Sequence, residues 1–148
     1  VQLLGFTTSS SSATLPFNME TLEKKLGVSE KTVSFVLPVG ATINMDGTSC
    51  YQAIAVVFIA QVMGVHLDWG DLLSIVALTT ISSIGTPGIP GGSYVILTMV
   101  LSSVGIPSEG LALILGVDRP LDMLRTSVNV TGDATVSVLV DTPDNDKV

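Results

Sequence analysis

The stretch from residue 33 to residue 67 carries a single charged side chain, Asp46. An α-helix needs about 20 apolar residues to cross the hydrocarbon core of a bilayer, and this stretch is longer than that. The tetrapeptide Asn44–Gly47 lies in its middle, shortly after a proline and a glycine, and these are poor helix formers. We therefore expect residues 29–64 to form a transmembrane helix that is broken near its centre.

The composition indicates a membrane protein. Hydrophobic residues make up 47% of the chain and charged residues 13%, whereas soluble domains carry about 25% charged residues. The net charge of −7 disfavours nucleic-acid binding, which requires a basic surface. One cysteine, Cys50, excludes a disulfide framework, and we expect it to be a packed thiol.

Residues 83–93 hold two prolines and four glycines, so they cannot continue a helix. The apolar segments on either side are too short to span a bilayer, which predicts a re-entrant hairpin over residues 68–104. A serine run, Ser9–Ser12, gives a similar small-residue tip. Each tip precedes a long apolar segment, and such paired interruptions are typical of transporter binding sites.

Polar residues mark the predicted helix starts. Ser29 and Ser108 can each cap a helix, and Asp68 with Asp71 fits a capping box. The last long helix is expected over residues 108–141. The sequence therefore predicts an all-α membrane protein made of re-entrant hairpins and broken transmembrane helices.

Charge in the connections predicts orientation. Lysines 24, 25 and 31 cluster before the first spanning segment, and positive residues favour the cytoplasmic side. The last helix then returns to the cytoplasm, and residues 142–148 form a cytoplasmic tail. We expect an integral, multi-pass protein of the plasma or inner membrane, in contact with lipid.

The last helix carries a polar stripe. At about 100° per residue, its members fall within an arc of roughly 100°; they are Asp118, Asp122, Arg125, Thr126, Asn129 and Asp133. A charge at mid-membrane costs about 2.5–3.5 kcal/mol, so the stripe must face protein, water or a ligand. A purely structural ion-pair network among the first three charges is one interpretation. It leaves Asp133 without a cation, and a buried carboxylate then requires a metal ion or a proton.

The broken helix offers hard oxygen donors. Asn44, Asp46 and Thr48 could be satisfied side chains at a kink, or ligands of a hard cation. The unpaired Asp133 favours the cation. His66 lies in a polar loop, and no nucleophile motif accompanies it. We therefore expect a solvated histidine and a protein that is not an enzyme.

Four segments carry a family resemblance: SSSATLP (10–16), GATINMDGT (40–48), SIGTPGIPGG (83–92) and DMLRTSVNVTGD (122–133). They resemble, in order, the signature segments of the dicarboxylate/amino acid:cation symporter family. That family includes the excitatory amino acid transporters and archaeal aspartate transporters, the latter known for inverted repeats. The resemblance covers about residues 5–141.

The resemblance implies a glutamate-transporter-like fold, of which this chain is a partial transport domain, with residues 1–26 as the end of a first re-entrant hairpin. It also implies sodium-coupled symport of aspartate or glutamate by alternating access, in a homotrimer, with sodium as coupling ion and no other cofactor. A proton-coupled or dicarboxylate symporter is the alternative within the family. A membrane receptor or structural subunit, or an intramembrane hydrolase using Ser9–Ser12, are alternatives from other classes.

The resemblance also assigns residues. Arg125 would bind the substrate side-chain carboxylate in a bidentate manner, and Asp122 its ammonium group. The remaining substrate contacts would be Ser11, Thr48, Ile89, Ser93, Thr126 and Asn129. One sodium site would use Gly40, Asn44, Asp46, Asn129 and Asp133. Another would use Thr42, Ser83, Ile84 and Thr86.

Five positions depart from or vary within the family pattern. Many members carry an arginine where this chain has Ser9 or Met123, and Arg119, one turn earlier, could supply part of that charge. Ser93 stands where animal and archaeal relatives have glycine. Asp133 favours sodium as the coupling ion, because proton-coupled relatives tend to have asparagine at that position.

Overall fold

The computed structural model describes residues 1–141, and these residues form helices and no strand. The elements, in chain order, are α1 (Gln2–Thr8), α2 (Ser11–Thr21) with a π-helical turn (Leu22–Leu26), α3 (Glu30–Ile43), α4 (Asp46–Val62), α5 (Trp69–Ser83), α6 (Tyr94–Ser103), a 3₁₀ helix (Ser108–Leu113) and α7 (Leu115–Val140). The predicted all-α class is confirmed for this part of the chain. The predicted tail, 142–148, lies outside the described residues.

The break between α3 and α4 lies at the predicted place. Asn44 and Met45 leave the helical conformation, with φ/ψ of −96°/75° and −105°/53°. Gly47, in the first turn of α4, lies against α7: a Cβ atom there would come within 2.5 Å of the Arg125 carbonyl oxygen. The break therefore brings irregular backbone beside the polar stripe of α7.

Two of the three predicted caps are present. The Ser29 hydroxyl accepts from Thr32 N, and Asp68 and Asp71 form a reciprocal capping box. The third prediction is wrong: Ser108 opens a 3₁₀ helix without a side-chain cap, and α7 begins only at Leu115. Packing explains the difference, because the narrow 3₁₀ winding lets Gly110 approach the Ile59 side chain on α4.

The larger hydrophobic core holds the second hairpin against α4. Its fully buried members come from α4, α5 and α6 and include Ile59, Ile75, Leu97 and Leu101. Each such side chain contributes about 1.5–3 kcal/mol on burial. A smaller cluster under α2 and α3 includes Leu22 and Leu37. The cores fix the helix arms, and the arms position the loop between α5 and α6.

Two predictions about single residues have opposite outcomes: the one for His66 is confirmed, and the one for Cys50 is wrong. His66 is exposed, as expected for a loop histidine. Cys50 is also exposed, so the prediction of a packed thiol is wrong. The α4 helix turns Cys50 outward, into an apolar groove that it shares with Ile54 and Phe58. No helix within residues 1–141 combines the length and hydropathy of a complete membrane span.

Candidate binding site

The polar stripe of α7 is buried, as its spacing predicts. All six side chains belong to residues that are no more than 5% exposed; they are Asp118, Asp122, Arg125, Thr126, Asn129 and Asp133. Leu124 and Leu139, on the opposite face of the helix, are 54% and 77% exposed. The helix thus turns its charged face inward and its apolar face outward, which is the reverse of a helix on a soluble domain.

Arg125 and Asp122 form the central ion pair of the stripe. Arg125 Nε donates to Asp122 Oδ1 at 2.9 Å. The second oxygen of Asp122 accepts from the main-chain nitrogen of Gly91 at 3.2 Å. Arg119 comes only within 3.9 Å of Asp122, and its side chain is 59% exposed, so it contributes little to the buried charge.

A second carboxylate, that of Asp118, also lies close to Arg125. It accepts hydrogen bonds from the hydroxyls of Tyr51 and Tyr94, both at 2.6 Å. Arg125 Nη1 lies 3.6 Å from Asp118 Oδ1, and the guanidinium sits 4.5 Å from the centre of the Tyr51 ring. The ion-pair network suggested by the sequence is therefore present, with two tyrosines added to it.

Sequence reasoning did not place the tyrosines in the site. They come from α4 and α6, which the spacing of α7 residues cannot connect to Asp118. One signal was available, because Tyr51 and Tyr94 are the only tyrosines of the chain. Each follows a glycine-containing interruption by a few residues: Tyr94 is the first residue of α6, and Tyr51 is the sixth residue of α4.

The two small-residue tips meet above the ion pair. The Ser10 hydroxyl donates to the carbonyl oxygen of Gly88 at 2.7 Å, and Ser12 N donates to the same oxygen at 3.2 Å. A Cβ atom on Gly88 would approach the Ser12 hydroxyl to 2.8 Å, so glycine permits this contact. The tips close one side of a cavity whose floor is α7.

That cavity has an empty volume of about 260 Å³. All eight predicted substrate contacts line it; they are Ser11, Thr48, Ile89, Ser93, Asp122, Arg125, Thr126 and Asn129. Ser9, Met45, Thr86 and the loop residues Pro87, Gly88 and Gly92 complete the lining. The structure thus brings together residues from four separate segments of the sequence.

Three buried polar atoms that lack a hydrogen-bond partner belong to this lining: Arg125 Nη1, Ser9 Oγ and Ser93 Oγ. An unsatisfied buried polar group costs about 1–3 kcal/mol, and more when it is charged. An acceptor-rich molecule in the cavity would satisfy them. Asn129 is already bonded: it accepts from Gly47 N at 2.8 Å and donates to Thr48 at 3.1 Å.

The residues predicted for the first sodium site also lie together, and the exception is Asn129. Asn44 Nδ2 donates to Asp133 Oδ1 at 3.0 Å, and a Cβ atom on Gly40 would lie 2.6 Å from that oxygen. Asp46 and Asn44 lie together beside Gly132. Asn129 stands one turn before Asp133, with its oxygen bonded to Gly47 N.

The residues predicted for the second sodium site share a junction. Gly85 N donates to the carbonyl oxygen of Thr42 at 2.8 Å, which ties the end of α3 to the segment 83–86. The carbonyl oxygen of Ser83 accepts from Thr86 N at 3.2 Å. Within residues 1–141, no three acidic, histidine or cysteine side chains converge on one point. The first group thus offers two carboxylates with amide and main-chain oxygens, and the second offers hydroxyl and main-chain oxygens.

Comparison with known proteins gives one consistent result. The family model described as "Sodium:dicarboxylate symporter family" matches residues 1–142. An excitatory amino acid transporter of Caenorhabditis elegans is 50% identical over 127 residues, which are 86% of this chain and 25% of that protein. Human excitatory amino acid transporter 1 is 49% identical over 134 residues, which are 90% of this chain and 25% of the human protein. The chain thus spans about a quarter of the length of these relatives.

Proposed function

Because this chain belongs to the sodium:dicarboxylate symporter family, we propose that it forms the substrate- and ion-binding part of a sodium-driven symporter for aspartate or glutamate. The family is one of transporters, and the relatives named excitatory amino acid transporters supply the substrate class. The complete protein is then a multi-pass membrane protein that works by alternating access. It acts as a homotrimer with sodium as the coupling ion.

One observation carries the proposal: a buried arginine with an unsatisfied nitrogen lines the cavity. Arg125 Nη1 has no hydrogen-bond partner, because Asp118 Oδ1 lies 3.6 Å from it, while Nε is bonded to Asp122. A guanidinium binds a carboxylate through two parallel N–H donors. An acidic substrate therefore fits Arg125 better than a neutral one, which would leave its charge buried and incompletely paired.

Asp122 gives the site its preference for an amino acid. Its carboxylate lines the cavity beside Arg125, so a negative and a positive group face the ligand together. An amino acid with an acidic side chain has an ammonium group for Asp122 and a carboxylate for Arg125. The hydroxyls of Ser9 and Ser93 are unpartnered donors for the second carboxylate.

Sodium coupling is supported by the group around Asp133. This carboxylate is buried and, among the described residues, its hydrogen-bond partner is the neutral amide of Asn44. A half-turn of that amide would present its oxygen instead of its nitrogen. Sodium would then meet Asp133, Asn44, Asp46 and the backbone of Gly40, and Thr42 with residues 83–86 would form the second site.

The segments acquire membrane roles under this proposal. Residues 1–26 end a first re-entrant hairpin, and residues 68–104 form the second. Residues 29–64 form a transmembrane segment broken at Asn44, and residues 108–141 form the last one. The two tips then meet at the substrate, where irregular backbone is tolerated because it lines a cavity.

Equilibrium binding of labelled aspartate to the purified full-length protein tests this function. Binding should strengthen as sodium replaces choline at constant ionic strength and pH. Glutamate should compete, whereas succinate and asparagine, which each lack one of the two charged groups, should compete at least tenfold less well. An aspartate affinity that does not depend on sodium but changes with pH would favour a proton-coupled carrier. Succinate as the best competitor would favour a dicarboxylate carrier.

A further inference from the structure

Tyr94 occupies a special position in the second hairpin. It is the first residue of α6 and directly follows the glycine- and proline-rich loop 83–93, called the second tip below. Its ring packs against that tip, since a Cβ atom on Gly91 would lie 3.3 Å from Tyr94 Cε2. Its hydroxyl donates to Asp118 Oδ2 at 2.6 Å. A single side chain thus contacts both the tip and α7.

The bonds between this region and α7 share one feature. Gly91 N donates to Asp122 and the Tyr94 hydroxyl donates to Asp118. These are the two buried carboxylates that contact Arg125, at 2.9 Å and 3.6 Å. The groups that hold the second tip down are therefore the groups that hold the arginine in place.

Tyr51 offers an internal comparison. Its hydroxyl also donates to Asp118 at 2.6 Å, and its ring lies under the guanidinium of Arg125. Both α4 and α6 contribute to the hydrophobic core, but Tyr51 lies inside α4, whereas Tyr94 directly follows the second tip and packs against its Gly91. Two hydroxyls with the same partner and the same distance thus differ in what they tie to α7: Tyr51 ties α4, and Tyr94 ties the end of the second tip.

We propose that Tyr94 is a positioning residue that, through Asp118, couples closure of the second tip over the cavity to the orientation of Arg125. This rests on the proposed function only for the identity of the ligand. When the tip is down, Asp118 holds two hydroxyls and Arg125 is aligned. When the tip lifts, Asp118 loses one donor and Arg125 is held less firmly. A ligand that needs the closed site then binds more weakly in proportion to the closed fraction.

The first experiment needs no substrate. In the full-length protein, Cys50 and any cysteine outside this chain are replaced by serine, and Ser9→Cys is introduced; Ser9 is 2% exposed and lines the cavity. The rate at which a water-soluble thiol reagent labels this position reports tip opening. Tyr94→Phe, which removes only the hydroxyl, should raise the rate about tenfold, since hydrogen bonds to charged groups have roughly that effect. Tyr51→Phe should leave the rate within about twofold.

If Ser9→Cys does not fold, Thr86→Cys replaces it, because Thr86 is 3% exposed within the second tip. Equal rates for Tyr94→Phe and the parent protein would overturn the proposal. An equal acceleration by Tyr51→Phe would also overturn it, since the effect would then belong to Asp118 and not to the tip. Either result leaves sodium-dependent aspartate binding by the wild type untouched, so the two proposals fail separately.

The second experiment compares ligands of two sizes in the full-length protein. Tyr94→Phe should weaken aspartate binding about tenfold, mainly through faster dissociation. An aspartate with a benzyl group on its β-carbon is a bulkier ligand, chosen to bind with the tip open, and it should bind as well as before, or better. Equal weakening of both ligands would show a role unrelated to closure. In the Asp118→Asn background, Tyr94→Phe should have little further effect, and full additivity would exclude Asp118 as the intermediary.

Discussion

At the scale of single residues, the charges of the candidate site lie on one face of α7. The six polar side chains of residues 118–133 on that face are buried. The Arg125–Asp122 pair follows from a separation of three residues on one helix. The contacts of Tyr51 and Tyr94 with Asp118 join three helices. No spacing within one segment encodes such contacts, because tertiary packing decides them.

Arg125 is expected to select the acidic side chain of the substrate. Arg125→Ala should lower aspartate affinity by about 100-fold or more, since truncating one partner of a buried charge pair costs about 2–5 kcal/mol. Arg125→Lys keeps the charge but loses the planar fork, so it should recover only part of the affinity. Arg119→Ala, which removes an exposed arginine of the same helix, is the matched control and should bind aspartate nearly as the wild type does.

The measurement is the dissociation constant for aspartate and for a neutral amino acid such as serine, with each full-length variant at saturating sodium. Relative affinity for the neutral ligand should rise in Arg125→Ala. Unchanged aspartate affinity in that variant would rule out Arg125 as the carboxylate ligand.

Asp133 is expected to couple sodium to substrate. Asp133→Asn removes the buried charge and keeps an oxygen donor, so the sodium concentration needed for half-maximal aspartate binding should rise about tenfold or more, within the usual coupling of about 1–3 kcal/mol. Asp141→Asn is the control, because Asp141 ends α7 and binds the Ser29 hydroxyl at 2.7 Å. Its sodium curve should coincide with that of the wild type.

Linkage sharpens the measurement, because sodium must tighten aspartate binding by the same factor as aspartate tightens sodium binding. Both titrations are run at fixed pH and ionic strength. If the curves for Asp133→Asn and the wild type coincide, Asp133 is no ion ligand. The purely structural interpretation of the α7 stripe would then be the better one.

At the scale of helices, capping residues and helix-breaking residues predicted most helix boundaries. The Asp68–Asp71 capping box starts α5, and the loop 83–93 separates α5 from α6. Each signal acts through neighbouring backbone groups and needs no distant contact. The start of α7 was missed because Gly110 packs against α4 and holds residues 108–113 in a 3₁₀ helix. A tertiary contact there overrides a local cap.

Close approach of α4 and α7 is expected to depend on Gly47. In Gly47→Ala the new methyl group would lie 2.5 Å from the Arg125 carbonyl oxygen and 3.0 Å from its Cα atom. Both atoms are backbone, so one helix must move, at a cost of about 1–3 kcal/mol. Thermal unfolding should occur several degrees lower, and aspartate affinity should fall because Thr48 and Arg125 separate.

Gly116→Ala is the matched control for this prediction. Gly116 also lies in the first turn of its helix, but a Cβ atom there meets nothing within 4 Å. The substitution should stabilise the protein by roughly 0.4–1 kcal/mol or leave it unchanged, with normal aspartate binding. Equal unfolding temperatures and affinities for both variants would contradict the close helix contact.

At the scale of the whole molecule, the sequence indicated two similar halves but not how they meet. The Gly88 carbonyl oxygen accepts from both Ser10 and Ser12, so the tip of each half touches the other. The charged face of α7 lies beneath them, while large apolar side chains cover the outside; they include Leu3, Phe35, Trp69, Leu73, Val95 and Leu139, each more than two thirds exposed. Periodicity predicts which side of a helix is polar, and here the polar side is the interior.

This inside-out distribution predicts that residues 1–148 alone do not transport. Extensive exposed apolar surface marks contact with other protein or with lipid, and the chain spans about a quarter of the length of its relatives. Alternating access requires one part of a transporter to move against another part. The fragment reconstituted in liposomes should therefore show no sodium-driven uptake of labelled aspartate, whereas the full-length protein should. The fragment should also aggregate in mild detergents that keep the full-length protein dispersed. Robust uptake by the fragment would mean that residues 1–148 contain every moving part. The proposal that this chain is only the binding part of the transporter would then have to be abandoned.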